Sequence, residues 1–202
     1  MNLPNKLTLS RIILIPFFIA AFYAPFTGHY FVALAIFAIA SFTDFLDGKI
    51  ARKYNLITDL GKFLDPIADK VLVTSALVIM VADPNNNVFT TILGEYNLGL
   101  ILGGIGVVII IARELVVSSL RMMAAKQGKV LAAEKIGKIK TFFTDVTLVV
   151  VLLASGLYEF SVATEAARII AIVSLVGFAI SVLLTIISGV SYLVKNKEVF
   201  AE

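Results

Sequence analysis

Six successive runs of apolar residues, each near twenty residues long, govern what this chain can fold into. A helix of about 20 residues crosses the hydrocarbon core of a bilayer. The runs lie at roughly 8–27, 30–54, 59–82, 98–126, 135–157 and 165–194. The second and third carry polar residues at their facing ends, around 44–70, so their apolar parts narrow to 30–43 and 71–82. Each therefore leaves the membrane at one end or lines a cavity there. Of the 202 residues 59% are hydrophobic and only 15% charged, and the mean hydropathy is +0.99. Soluble domains are nearer a quarter charged. No polar stretch is long enough to fold alone. The sequence predicts an all-α polytopic membrane protein, a single integral-membrane domain over residues 1–202 with six transmembrane helices. The first run follows Lys6 and Arg11, as in a signal peptide. Five more runs succeed it and no small-x-small cleavage site closes it, so it is expected to be a retained first helix.

Charge separates the two ends of these helices. Every Lys and Arg except Arg168 falls on one side. Lys6 and Arg11 come first, followed by Lys49, Arg52, Lys53, Lys62 and Lys70. Arg113, Arg121, Lys126, Lys129, Lys135, Lys138 and Lys140 come next, then Lys195 and Lys197. The other side holds His29, Asp83-Pro84-Asn85-Asn86-Asn87, Glu95, Glu159 and Glu165. The positive-inside bias predicts both termini at the cytoplasmic face. The net charge of +3 is accounted for by topology and anionic headgroups, and no nucleic-acid-binding motif is present. Cysteine is absent, which excludes disulfides and thiolate metal sites. The single His29 reads as a surface residue of a short loop. Gly99 and Gly103 form a GxxxG with Gly104 and Gly106 beside it. That motif permits close helix approach, either within the chain or against a second copy.

Four aspartates interrupt this apolar background. Asp44 and Asp47 stand at i, i+3 near the end of the second helix, and Asp65 and Asp69 at i, i+4 near the start of the third. Residues three or four apart share a helix face. The connection near 55–58 is short, so the two helices are expected to be antiparallel neighbours whose carboxylates meet. Unpaired carboxylates so close would repel one another. Hard divalent cations relieve this, and an oxygen-only donor set suits Mg²⁺, Mn²⁺ or Ca²⁺ and not zinc. Four carboxylates suffice for two ions, which can clamp the two oxygens of a phosphoryl displacement. Gly48, Ala51 and Gly61 keep the adjoining surface small, Arg52 can reach a phosphate, and Pro66 removes a backbone donor. Taken singly, Asp44 or Asp59 can cap a helix, and Asp47 with Arg52 can form a salt bridge. An ion-pair lattice can hold the whole group. Such accounts serve one residue at a time and serve poorly for eight constrained positions at a membrane depth where charge is costly.

Those eight positions, Asp44, Asp47, Gly48, Ala51, Arg52, Gly61, Asp65 and Asp69, fit the pattern D-x2-D-G-x2-A-R-x8-G-x3-D-x3-D without departure. In this the chain resembles the CDP-alcohol phosphatidyltransferase family. Leu3-Pro4-Asn5-Lys6-Leu7-Thr8-Leu9-Ser10-Arg11, Ala112-Arg113-Glu114 and Lys138-Ile139-Lys140-Thr141 are similar to stretches of its bacterial phosphatidylglycerophosphate synthases. The resemblance implies a six-helix enzyme, usually a homodimer, in the bacterial cytoplasmic membrane with its site open to the cytosol. It implies transfer of a phosphatidyl group from CDP-diacylglycerol to an alcohol with release of CMP. Asp44, Asp47, Asp65 and Asp69 would bind two Mg²⁺ or Mn²⁺ ions, and Asp69 would also take the proton of the acceptor hydroxyl. Thr8, Gly48, Ala51, Arg52, Thr58 and Gly61 would surround the CDP moiety.

Glycerol 3-phosphate as the acceptor needs a second anion pocket. Arg113 on the fourth helix, with Lys135 and Lys138 before the fifth, can form it, because guanidinium grips phosphate by two bonds and lysine adds a point charge. These residues can equally be membrane-flanking cations, and Glu114 can be the partner of Arg113. Other readings stand beside this one. Serine, an inositol phosphate or phosphatidylglycerol can be the alcohol. A membrane prenyltransferase also uses aspartates and Mg²⁺, but with two separated motifs in a longer chain. A cation transporter also needs intramembrane carboxylates, but near the midplane.

Overall fold

Local capping signals set where the first helices begin and end. The computed structural model describes residues 2–54, 58–83, 96–129, 131, 134–160 and 164–199. Within its helices the side chains at 3, 4, 44–49, 51–53, 59, 60, 62, 63, 65, 66, 69, 96, 97 and 164 lie outside that description. Helix α1 spans Leu3–Phe22. The Asn2 side chain caps it by accepting from the Asn5 amide at 3.2 Å, and Pro4 follows, where a missing N–H costs nothing. The apolar run carried the expected span on to residue 27. The helix stops at Phe22 because Pro25 and a left-handed Gly28 (φ 93°) turn the chain, and hydropathy alone does not register turn chemistry. Gly28 caps α2, His29–Lys53. Thr58 caps α3, Asp59–Val81, by accepting from the Gly61 amide at 3.1 Å. Helix α4, Tyr96–Lys126, ends where Gly128 at φ 72° lets the Lys129 amide reach back to the Ala124 carbonyl. Helices α5, Lys135–Glu159, and α6, Thr164–Lys195, follow, and a 3₁₀ turn at Lys197–Val199 closes the described chain.

These six helices are the only long regular elements among the described residues. Four of them are long and apolar enough to cross a membrane, namely α1, α4, α5 and α6. Helices α2 and α3 contribute shorter apolar stretches, His29–Thr43 and Lys70–Val81, close to the narrowed parts expected of them. Helices α4 and α6, of 31 and 32 residues, are about 46–48 Å long at 1.5 Å per residue. That exceeds the ~30 Å of a hydrocarbon core.

Helix α1 packs on both α2 and α3, which touch each other less extensively. The remaining helices complete a bundle in which α2 meets α5, α5 meets α6, α6 meets α4, and α4 meets α3. Tyr30, at the start of α2, donates a 2.6 Å bond to Asp83, just past the end of α3, so the pair is antiparallel. The core is aromatic where α1 meets α2. Phe18 lies against Phe37 at 5.8 Å between ring centroids, and Phe22 against Tyr30 edge-on at 5.2 Å. A second apolar cluster of Val117, Leu120, Ala124, Tyr192 and Val199 ties the far ends of α4 and α6 to the 3₁₀ turn. There Arg121 donates to the Tyr192 hydroxyl at 3.1 Å and lies over its ring.

Large apolar side chains cover much of the outer surface, and hydroxyls enter the interior. Phe17, Val108, Phe142, Leu183 and Val194 are exposed, while Thr144, Thr147, Ser174, Ser181, Thr185 and Ser188 are buried between helices. Most of these hydroxyls donate to a carbonyl one turn back, as Thr144 does to Lys140 at 2.9 Å and Thr185 to Ser181 at 2.7 Å. Small residues let the helices close. A Cβ on Gly106 would stand 2.5 Å from the Phe178 ring, whereas one on Gly104 would meet nothing within 4 Å. Gly99, Gly103 and Gly106 are buried within the single chain, and so pack inside the bundle. Gly106→Ala should therefore destabilise the protein by about 1–3 kcal/mol through overpacking. Thermal unfolding in detergent measures this, and a second change of Phe178→Leu should recover part of the loss.

Candidate active site

The inward face of α1 changes character along its length. Asn5, Thr8, Arg11, Ile15, Phe18 and Phe22 recur every three or four residues and are all buried. The second half of that stripe is apolar core, and the first half is polar. Asn5 accepts a 2.9 Å hydrogen bond from the Thr58 hydroxyl, which itself accepts from the Gly61 amide. Gly61 has no room for a side chain, because a Cβ there would stand 2.9 Å from Asn5 Oδ1 and 3.2 Å from Thr58 Oγ1. The polar start of α1 is thus held against the start of α3, where the aspartate pattern continues. Arg11 is fully buried in this region. By charge pattern alone Arg11 is a membrane-flanking cation. Its spacing of three from Thr8, on the face that carries Asn5, is the signal that distinguishes it.

Further along α3 a second polar cluster begins. Lys70 bonds the Ser118 hydroxyl on α4, and Ser118 donates to the Glu114 carbonyl at 2.7 Å. The Glu114 carboxylate accepts from Arg113 at 3.0 Å and from Lys140 on α5 at 2.8 Å through one oxygen, Oε1. Lys140 is buried at 3% side-chain exposure and Arg113 nearly so at 13%. Two glycines make the berth for Arg113. A Cβ on Gly137 would stand 3.3 Å from its Nη2, and one on Gly189 3.0 Å from its Cγ. Its Nε is buried with no hydrogen-bond partner among the described residues. A small cavity of about 30 Å³ lies between Lys70, Thr74, Glu114, Lys140, Thr141 and Asp145.

The two clusters flank positions 65 and 69 along α3. Gly61 precedes Asp65 by about one turn, and Lys70 follows Asp69 directly. Asp44, Asp47, Gly48, Ala51 and Arg52 lie in the last turns of α2, and Asp65 and Asp69 in the first half of α3. The side chains of Asp44, Asp47, Ala51, Arg52, Asp65 and Asp69, with Gly48, lie outside the described residues. Among the predicted ligand-binding residues, Thr8 is buried, Thr58 is half-buried at its cap, and Gly61 is buried. Arg113 sits in the α4–α5–α6 berth, whereas Lys135 and Lys138 are exposed on the first turn of α5. The basic residue of that turn region that enters the bundle is Lys140. The hydrophobic period carries it inward, on the stripe that continues through Thr144, Thr147 and Val151.

The sequence profile of the CDP-alcohol phosphatidyltransferase family matches residues 1–187. A Bacillus subtilis (strain 168) protein named CDP-diacylglycerol–glycerol-3-phosphate 3-phosphatidyltransferase is 38% identical over 216 aligned positions, covering 98% of this chain and 96% of its own. A protein of the same name from Escherichia coli (strain K12) is 42% identical over 142 positions, covering 69% of this chain and 70% of its own.

Glu114 meets one buried and one nearly buried cation through a single oxygen, so its loss should be felt. Glu114→Gln should cost about 1.5–3 kcal/mol, the usual worth of hydrogen bonds to charged groups. Denaturation in detergent, compared with Glu134→Gln, whose single partner cation Lys195 is 64% exposed, checks the difference.

Proposed function

The chain belongs to the CDP-alcohol phosphatidyltransferase family, and we propose that it transfers the phosphatidyl group of CDP-diacylglycerol to glycerol 3-phosphate. The products are phosphatidylglycerophosphate and CMP. The observation that carries the acceptor is the likeness, over nearly the whole of both chains, to the Bacillus subtilis protein that bears this activity in its name. The unbroken aspartate pattern on α2 and α3 supports the class of chemistry.

In this reading the acceptor hydroxyl forms a bond to the phosphorus that carries diacylglycerol. The bond from that phosphorus to the oxygen of CMP breaks, and CMP departs with the electron pair. Asp69 takes the hydroxyl proton, a role that requires it within hydrogen-bond reach of that oxygen. Asp44, Asp47, Asp65 and Asp69 supply only oxygen donors, a set that fits Mg²⁺ or Mn²⁺ and no softer metal. Such ions, when bound, neutralise the diphosphate and make CMP a better leaving group. Thr8, Thr58 and Gly61, with Gly48, Ala51 and Arg52, surround the CDP moiety. The berth of Gly61 against Asn5 and Thr58 keeps that stretch of α3 free of bulk. Arg113, with Lys135 and Lys138, receives the phosphate of the acceptor, and the ion pair with Glu114 holds the guanidinium in place before it arrives. The acyl chains stay in lipid. The bias of Lys and Arg supports six spans with both termini and the aspartate end at the cytoplasmic face of a bacterial cytoplasmic membrane. The apolar outer faces of the helices are compatible with a homodimer in that bilayer.

Purified protein given CDP-diacylglycerol should release CMP with glycerol 3-phosphate and not with serine, inositol phosphate or phosphatidylglycerol. EDTA should stop the release, and Mg²⁺ or Mn²⁺ should restore it. Release with another alcohol alone would reassign the acceptor while keeping the chemistry. Asp69→Asn should lower turnover by about 10²–10⁴-fold, the range of a lost general base, while the folded protein still binds CDP-diacylglycerol. Near-normal CMP release by that variant would remove Asp69 from the role of base.

A further inference from the structure

At the opposite end of α2 and α3 from the aspartates, the turn between α1 and α2 borders an open hollow of about 390 Å³. Fifteen residues of α2 separate His29 from Asp44, and fourteen residues separate Asp69 from Asp83, so the hollow lies about 20 Å from the aspartate motif. Its volume falls in the range of small-ligand sites. The sequence reading assigned this end to surface loops, but its polar groups are largely buried. Asp83 is 2% exposed, and the His29 and Glu159 side chains are 12% and 17% exposed.

We propose that the hollow ringed by Tyr23, Phe26, His29, Tyr30, Asp83 and Glu159 binds a compact primary ammonium group. Four observations converge on that chemistry. First, the charge is of one sign. Among the described residues Asp83 and Glu159 line the hollow, and no Lys or Arg does. Second, four of its lining residues are Phe or Tyr. Phe22 and Tyr30 form the buried floor, and half-exposed Tyr23 and Phe26 form the rim. Aromatic rings attract cations, most strongly when the site is desolvated. Third, two buried polar atoms of the His29–Glu159 pair are unfilled. His29 Nε2 lies 3.8 Å from Glu159 Oε1. The other atoms of that pair, His29 Nδ1 and Glu159 Oε2, are buried with no hydrogen-bond partner among the described residues. Leaving such atoms unmet is costly, and a primary ammonium brings three N–H donors. Fourth, a metal ion does not fit. No three His, Asp or Glu side chains among the described residues lie close enough to share one. An alkylammonium is larger and needs no convergent coordination shell.

An ammonium of this kind can come from a soluble amine or from an aminophospholipid headgroup at the membrane surface. Both present the same group to the hollow, and the test separates them. The chain has no tryptophan and six tyrosines, two of which line the site, so tyrosine fluorescence reports occupancy. Full-length protein in a maltoside detergent is titrated with ethylammonium chloride, against sodium chloride and propanol at equal concentrations. A saturable response to ethylammonium alone is expected. Glu159→Gln should weaken it by about tenfold, the loss of one charge-assisted contact. Asp83→Asn should also weaken it, but that variant disturbs the Tyr30 bond as well. Glu159 makes no such bond, and thermal unfolding verifies that Glu159→Gln is folded. The titration is repeated in nanodiscs of phosphatidylglycerol and of phosphatidylethanolamine. Weaker ethylammonium binding in the second lipid assigns the site to a headgroup, and equal binding assigns it to a free amine. A response that does not saturate, that propanol reproduces, or that folded Glu159→Gln leaves unchanged overturns the proposal.

Discussion

Hydrocarbon offers a polar group nothing to bond with, and the rest of this structure follows from that. Backbone amides and carbonyls must be met within the segment, which a helix achieves. Side-chain hydroxyls face the same restriction. Thr141, Thr144, Thr147, Ser174 and Thr185 each donate to a carbonyl four residues back, and so can occupy helix interfaces without a partner helix. Apolar surface has no comparable need to hide in lipid, so on α6 most large residues face outward and small or hydroxylated ones face inward. The buried stripe of α6 shows this. Ala167, Ala171, Ser174, Ser181, Thr185 and Ser188 recur along it with only Phe178 and Tyr192 as bulky members.

The same restriction explains why the buried charges are gathered into clusters. Lys140 at 3% exposure would be untenable alone. It is placed against Glu114, which also holds Arg113, and the backbone of Glu114 accepts from Ser118, the partner of Lys70. Five residues are thereby linked across α3, α4 and α5. The arrangement leaves cationic side chains fixed beside the half of α3 that carries Asp65 and Asp69. A surface recruiting a doubly charged anion benefits from cations held in advance, because less side-chain entropy is lost when the anion arrives.

Much of the fold was legible. All six helices coincide with apolar runs, and α2 to α6 begin and end within a few residues of the expected limits. The largest differences are at the two ends of α1, which starts five residues before the apolar run, at the Asn2 cap, and stops five residues short of its end, where Pro25 and Gly28 impose the turn. The aspartate pattern was legible because its spacing is dense and specific. The polar partners at its flanks were harder to read. Asn5 lies 53 residues from Thr58, and Glu114 26 residues from Lys140. Nothing local in either segment declares such a pairing. Arg11 and Lys140 read as membrane-flanking cations because a basic residue near a helix end has the same sequence signature whether it faces water or the bundle. His29 and Asp83 read as loop residues for the corresponding reason. Their burial depends on Glu159, Tyr30 and Phe22, which come from other elements.

The sequence by itself determined that the chain is helical and membrane-borne, that four carboxylates stand at helical spacing near one end, and that the basic residues gather at that same end. These are properties of periodicity and composition, and they hold before any two helices meet. Tertiary structure alone decided that α1 stands against both α2 and α3, which cations enter the bundle, and that one glutamate holds two of them. It also decided that the far end borders an acidic, aromatic hollow. Each of these depends on which faces of distant helices come together, and close packing selects those faces through small residues such as Gly61, Gly106, Gly137 and Gly189. A missing side chain is visible in the sequence, but the atom that takes its place is visible only in the fold.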